Sequence, residues 1–93
     1  MRKLTWTPEA SSDLLDIVRY IARENPHAAR RVRNRIQTSA ESLARMPLGR
    51  PGRNEGAHEK LVRGLPYIIA YSLLGDDTVE ILRIVHSARD WPE

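Results

Sequence analysis

The 93-residue chain has 15 Lys+Arg, 12 Asp+Glu, a formal net charge of +3 and no cysteine. At this length a second core, a Rossmann fold or a barrel with its own cofactor pocket has no room, and without thiols there are no disulfides, zinc fingers, iron–sulfur sites or cysteine nucleophiles. Apolar residues at 41% and charged residues at 29% describe a globular chain, and aromatics at 5% with no Phe make its core aliphatic.

No apolar run is long enough to span a membrane, and Asp13 and Asp16 interrupt what would be the apolar stretch of a signal peptide. We therefore expect a single domain over residues 1–93, in a reducing cytoplasm, with no membrane contact. His27, His58 and His86 are scattered along the sequence, so the expectation is no metal site and no cofactor.

In chain order, Lys3-Leu4-Thr5-Trp6 reads as a short strand. Thr7 is placed to cap a helix, Pro8 fits its first position, and Glu9 suits the positive end of the helix dipole. Apolar residues recur at Ala10, Leu14, Ile17, Val18 and Ile21, the stripe of an amphipathic helix. Asp13, Asp16 and Arg19 read as its polar side, and the spacing of the two aspartates suggests no shared substrate.

Asn25-Pro26 closes that helix and opens a second, whose stripe is Ala29, Val32, Ile36, Ala40 and Leu43 and which ends at Met46-Pro47. So short a connection allows only a tight helical hairpin. Residues 47–57, rich in Gly and Pro, read as a loop; their Gly49-Arg50-Pro51-Gly52-Arg53 run lacks the Gly-Lys-Ser/Thr of a phosphate-binding loop.

Strand candidates follow: a weakly alternating His58–Arg63, an apolar 66–74, a Gly75-Asp76-Asp77 turn and a final 78–86. Tyr67 and Tyr71, four apart in a strand, share a face. The order β-α-α-β-β-β is an α+β fold, with a helical hairpin packed on a small, mainly antiparallel sheet, strand 1 at an edge and one sheet face open.

Charge is unevenly distributed. Residues 27–63 hold nine basic residues, eight of them Arg, against three acids. Arginine grips carboxylate and phosphate through two parallel hydrogen bonds. We therefore expect Arg30, Arg31, Arg33, Arg35, Arg50, Arg53, Lys60 and Arg63 to meet an anionic partner, nucleic acid or an acidic protein segment. An ordinary solvated helix face is the equally weighted alternative.

Several segments together resemble the RelE/ParE superfamily of toxins: Trp6-Thr7-Pro8-Glu9-Ala10 with Asp13-Leu14 and Ile17; Gly49 to Arg53; Pro66 to Tyr71; and Ile81 to Pro92. Their order and spacing cover essentially the whole chain and are most similar to the ParE-like branch. The resemblance implies the toxin of a type II toxin–antitoxin pair, neutralised by a small antitoxin in a hetero-oligomer. In the superfamily, RelE-like members cut messenger RNA on the ribosome, and ParE-like members inhibit DNA gyrase.

RNA cleavage through the 2′-OH needs a base, a cation at the phosphorane and an acid for the leaving oxygen. Under that alternative His86 is the acid–base residue, with Arg83 and Arg89 at the phosphate. Against it, Ile68 follows Tyr67 where RelE-type nucleases tend to carry arginine. Trp91-Pro92 stands where several of them have a catalytic Tyr tail, and indole cannot act as acid or base.

Trp91 reads as a tail anchor available to a partner. The leading expectation is thus a gyrase poison without chemistry of its own. The alternatives are a metal-independent endoribonuclease and a decayed toxin that only binds its antitoxin.

Overall fold

A computed structural model describes residues 1–46, 50–51 and 56–88. The elements in order are β1 (Lys3–Trp6), α1 (Pro8–Ala22), α2 (Pro26–Arg45), β2 (Arg50–Pro51), β3 (His58–Leu61), β4 (Tyr67–Leu74) and β5 (Thr78–His86). Both expected caps form. Thr7 Oγ1 accepts from the Ala10 amide at 3.0 Å and Asn25 Oδ1 from the Ala28 amide at 3.0 Å, each followed by proline at the first helical position.

The sheet order is β1-β5-β4-β3-β2. β3, β4 and β5 form the expected antiparallel meander. β1 joins at the edge, as expected, and runs parallel to β5, with Lys3 opposite Thr78 and Trp6 opposite Ile81. The stretch read as pure loop contributes one more element. Arg50 and Pro51 pair with Glu59 and His58 as the two-residue β2, at the sheet edge, where proline is tolerated.

The core lies between the sheet and the helical hairpin. Ile36, Ala40 and Leu43 from α2 meet Val62, Ile69, Tyr71, Val79, Ile81 and Ile84, with Ala10 the one fully buried residue of α1. Tyr67 packs against this cluster from the same side as Tyr71. Leu14, Ile17, Val18 and Ile21 of the α1 stripe are only half-buried, and Leu15 is 47% exposed. α2 takes the central position over the sheet, which leaves α1 covered on one side alone.

β4 and β5 change register once. Ala70 faces Arg83 but Tyr71 faces Ile81, so Leu82 is an extra residue on β5. This bulge lets Ile81 and Ile84, three apart, both point into the core. Gly75, at φ 63°, turns β4 into β5 in the left-handed conformation that favours glycine.

Ile81 is fully buried among these groups, so Ile81→Ala is expected to cost about 2–5 kcal/mol, read as a lower denaturation midpoint at unchanged slope. Burial raises the Tyr71 phenol above its ordinary pKa of 10.0. The folded chain therefore holds that proton more tightly than the unfolded chain, and this contribution is intact below about pH 10 and lost as pH rises through the folded value. Stability measured across alkaline pH should fall more steeply in the wild type than in Tyr71→Phe.

Candidate functional site

β1 runs beside β5 only as far as Ile81. Beyond it the outer edge of β5 would show unpaired backbone groups, a hazard for any sheet. The first two turns of α1 take over where β1 stops. The Thr7 amide donates to the Ile81 carbonyl at 3.0 Å. Thr7 Oγ1 donates to the Leu82 carbonyl at 2.9 Å, and Asp13 Oδ2 accepts from the Ile84 amide at 2.9 Å.

Arg83 completes the arrangement with Nε at 2.7 Å from Asp13 Oδ2 and Nη2 at 3.1 Å from Oδ1. This is the two-pronged geometry in which guanidinium and carboxylate bind best. The Asp13 side chain is 16% exposed and that of Arg83 54%. Asp13 was expected on the polar side of α1; it lies instead beside the buried stripe, one turn from both Ala10 and Ile17. Its spacing from those two residues is the signal that reveals this.

The residues of the nuclease alternative are distributed as follows. Arg83 is held by Asp13. His86 closes β5 opposite Tyr67, with its ring edge-on to the Tyr67 ring at 5.6 Å. Its Nδ1 accepts from the Ala88 amide at 3.2 Å, which places the proton of the neutral ring on Nε2.

In the register, Arg83 lies across from Ala70 and His86 across from Tyr67. Strand alternation sends these positions to opposite faces, so the two side chains are not brought to one point. Arg89 lies outside the described residues, as do Arg53 and Trp91; of Arg50 only the backbone is described.

The other basic residues divide among three places. Arg30, Arg31, Arg33 and Arg35 are all exposed on α2. Arg35 Nη1 donates to the Arg63 carbonyl at 3.0 Å, tying α2 to the β3–β4 turn. Lys60 sits on β3 opposite Ile69. Arg33 stands at the rim of an open groove of about 500 Å³, formed by Trp6, Leu14, Leu15 and Val18 with Ser11 and Gln37. The exposed apolar side of α1 forms one wall of this groove.

The protein families that share this architecture are specific. Residues 4–91 match the family described as the ParE toxin of the type II toxin–antitoxin system parDE. The chain is 40% identical over 93 residues to Y4kP of Sinorhizobium fredii, named as a candidate toxin, covering 99% of this chain and 95% of that one. It is 41% identical over 90 residues to Toxin RelE2 of Caulobacter vibrioides, covering 96% and 99%.

Among solved structures, the chromosomal ParDE system of P. aeruginosa aligns with a TM-score of 0.84 at 26% identity, over 92% of this chain and 96% of that chain. A YafQ variant from E. coli aligns with a TM-score of 0.61 at 17% identity over 99% and 100%, a likeness of fold alone.

Removing the Asp13 carboxylate orphans the Ile84 amide and takes two hydrogen bonds from Arg83. Asp13→Ala is therefore expected to cost about 2–3 kcal/mol, whereas Arg83→Ala, whose side chain reaches solvent, should cost no more than about 1 kcal/mol. Urea denaturation gives both numbers, and hydrogen exchange at the Ile84 amide should accelerate in Asp13→Ala far more than in Arg83→Ala. Equal losses in the two variants would reduce the cluster to a simple ion pair.

Proposed function

The chain belongs to the ParE toxin family of type II toxin–antitoxin systems, and from that premise we propose that it arrests growth by poisoning DNA gyrase and is neutralised by a cognate antitoxin. The observation that carries gyrase over RNA cleavage is the engagement of Arg83. A nuclease needs an uncommitted cation where charge develops on the phosphorane. Here that guanidinium spends two of its donors on Asp13, and the same carboxylate holds the backbone of β5.

A second observation agrees. Ile68, in the position after Tyr67, is 4% exposed and offers neither a donor nor a charge. His86 has its Nδ1 committed to a backbone amide, and Arg83, three residues before it on β5, points to the other side of the sheet.

For the antitoxin, the groove between β1, α1 and α2 is the surface that fits. Its walls are Trp6, Leu14, Leu15 and Val18, and Arg33 marks its rim. An amphipathic segment that folds on contact would bury its apolar side chains on Leu14, Leu15 and Val18 and set an acid against Arg33. Apolar burial would then hold the complex while the arginines speed its formation.

Two measurements test this reading. Purified toxin should inhibit supercoiling by gyrase and leave messenger RNA on programmed ribosomes uncut, and toxicity should survive in His86→Ala. Codon-positioned cuts with normal supercoiling would overturn it in favour of the nuclease, for which His86→Ala should cost about 10²–10⁴ in rate.

On the antitoxin side, Leu15→Glu puts a charge on an already exposed position. It should weaken antitoxin binding by at least about tenfold without loss of fold. Raised salt should slow association far more than it speeds dissociation; unchanged affinity in Leu15→Glu would place the antitoxin elsewhere.

A further inference from the structure

α2 carries five arginines, Arg30, Arg31, Arg33, Arg35 and Arg45, against one acid, Glu41. Ala29, Ile36, Ala40 and Leu43 are buried and fix which side of the helix faces the core. At about 100° per residue, the side opposite holds Arg31 and Arg45 with Asn34 and Thr38, and Arg30 and Glu41 stand on one flank of it, Arg30 about 70° round, all of them exposed.

The arginines of this arc span sixteen residues, a rise of roughly 22 Å along the helix axis. None of them has a carboxylate partner among the described residues. Arg30 Nη2 lies 3.1 Å from His27 Nδ1, and Glu41, one turn before Arg45, forms no ion pair with it.

The chemistry of the arc differs from that of the groove. It presents no exposed Leu, Ile, Val or aromatic side chain. Protein interfaces are built around an apolar or aromatic centre, and an acidic peptide would find here only Met46, 60% exposed just past Arg45. Phosphate contacts need only cations and hydrogen-bond donors, which is what the arc supplies.

We infer that this arc of α2 docks on the phosphate backbone of duplex DNA. The B-form major groove is wide enough to admit a helix, whereas the A-form groove of duplex RNA is too narrow. Arg33 and Gln37 belong to the groove side of α2, so DNA on the arc and a segment in the groove do not compete for the same residues. The inference requires neither the gyrase target nor a particular occupant of the groove.

Fluorescence anisotropy with full-length toxin and a labelled DNA duplex of about twenty base pairs tests it, on arbitrary sequence and over a salt series. Affinity should fall with salt along a log–log slope of about −3, the value for some three neutralised phosphates. Arg30→Gln/Arg31→Gln/Arg45→Gln should weaken binding by at least about tenfold at low salt and flatten the slope by about two to three.

The matching triple lysine variant should retain binding, and Glu41→Gln should tighten it. Lys3→Gln, which removes an exposed charge from β1, should change little. Thermal melts of each variant confirm that the fold is kept. The inference is overturned if wild-type toxin does not bind DNA at low salt, if the triple glutamine variant binds as well as wild type, or if a duplex RNA of the same length binds equally tightly.

Discussion

The outer edge of β5 past Ile81 is the constraint around which the chain is organised. β1 is four residues long and β5 nine, so a parallel pair of this kind must leave half of the longer strand uncovered. Thr7 and Asp13 cover it from the first two turns of α1. A helix N-terminus thereby acts as the missing part of a strand. The bulge at Leu82 makes this geometry possible, because the extra residue turns its carbonyl to Thr7 while Ile81 and Ile84 both stay in the core.

Fixing the start of α1 in this way has a consequence along its length. The helix is pinned to the sheet edge by its first turns and packed on α2 by one side, and nothing in the described chain covers the remainder. Ala10 is fully buried, yet Leu14, Ile17, Val18 and Ile21 are half-buried and Leu15 is exposed. The open groove therefore follows from topology rather than from a local defect of packing: two helices on a small sheet cannot both lie over its centre, and α2 holds that place with Ile36, Ala40 and Leu43.

Much of this was legible in the sequence, and the reasons are local. Thr7-Pro8 and Asn25-Pro26 cap their helices through short-range bonds that need no tertiary context. The strands from 58 onwards carry their own alternation and turn residues. β2 was missed because two residues show no periodicity; its pairing depends wholly on β3. The structural role of Asp13 was missed because an aspartate on the polar side of an amphipathic helix already has an ordinary explanation.

Two traces of the clamp are nevertheless present. Asp13 stands one turn from both Ala10 and Ile17, and the buried positions of β5 step by two from Val79 to Ile81 and then by three to Ile84. The odd step is what a bulge leaves in a sequence. Of the site residues, Arg83 is a case where residue type and position suggested a phosphate contact, while the long-range partner that occupies its guanidinium is visible only once α1 and β5 are placed side by side.

Five of the described arginines fall into three physical kinds. Arg83 is structural, because its charge is matched at 2.7 Å by a carboxylate that also binds the backbone. Arg35 is half structural, since one of its donors holds the Arg63 carbonyl. Arg30, Arg31 and Arg45 do neither; Arg31 and Arg45 lie opposite the core and Arg30 on the flank of that side. Arginines on one helix repel one another weakly through water, at a cost of a few tenths of a kcal/mol for each close pair. Folding alone gives no return on that cost, whereas an anionic surface recovers it in full. The net charge of +3 therefore understates the molecule. Five arginines against one acid lie on α2 alone, while the apolar surface left open by the fold lies along α1.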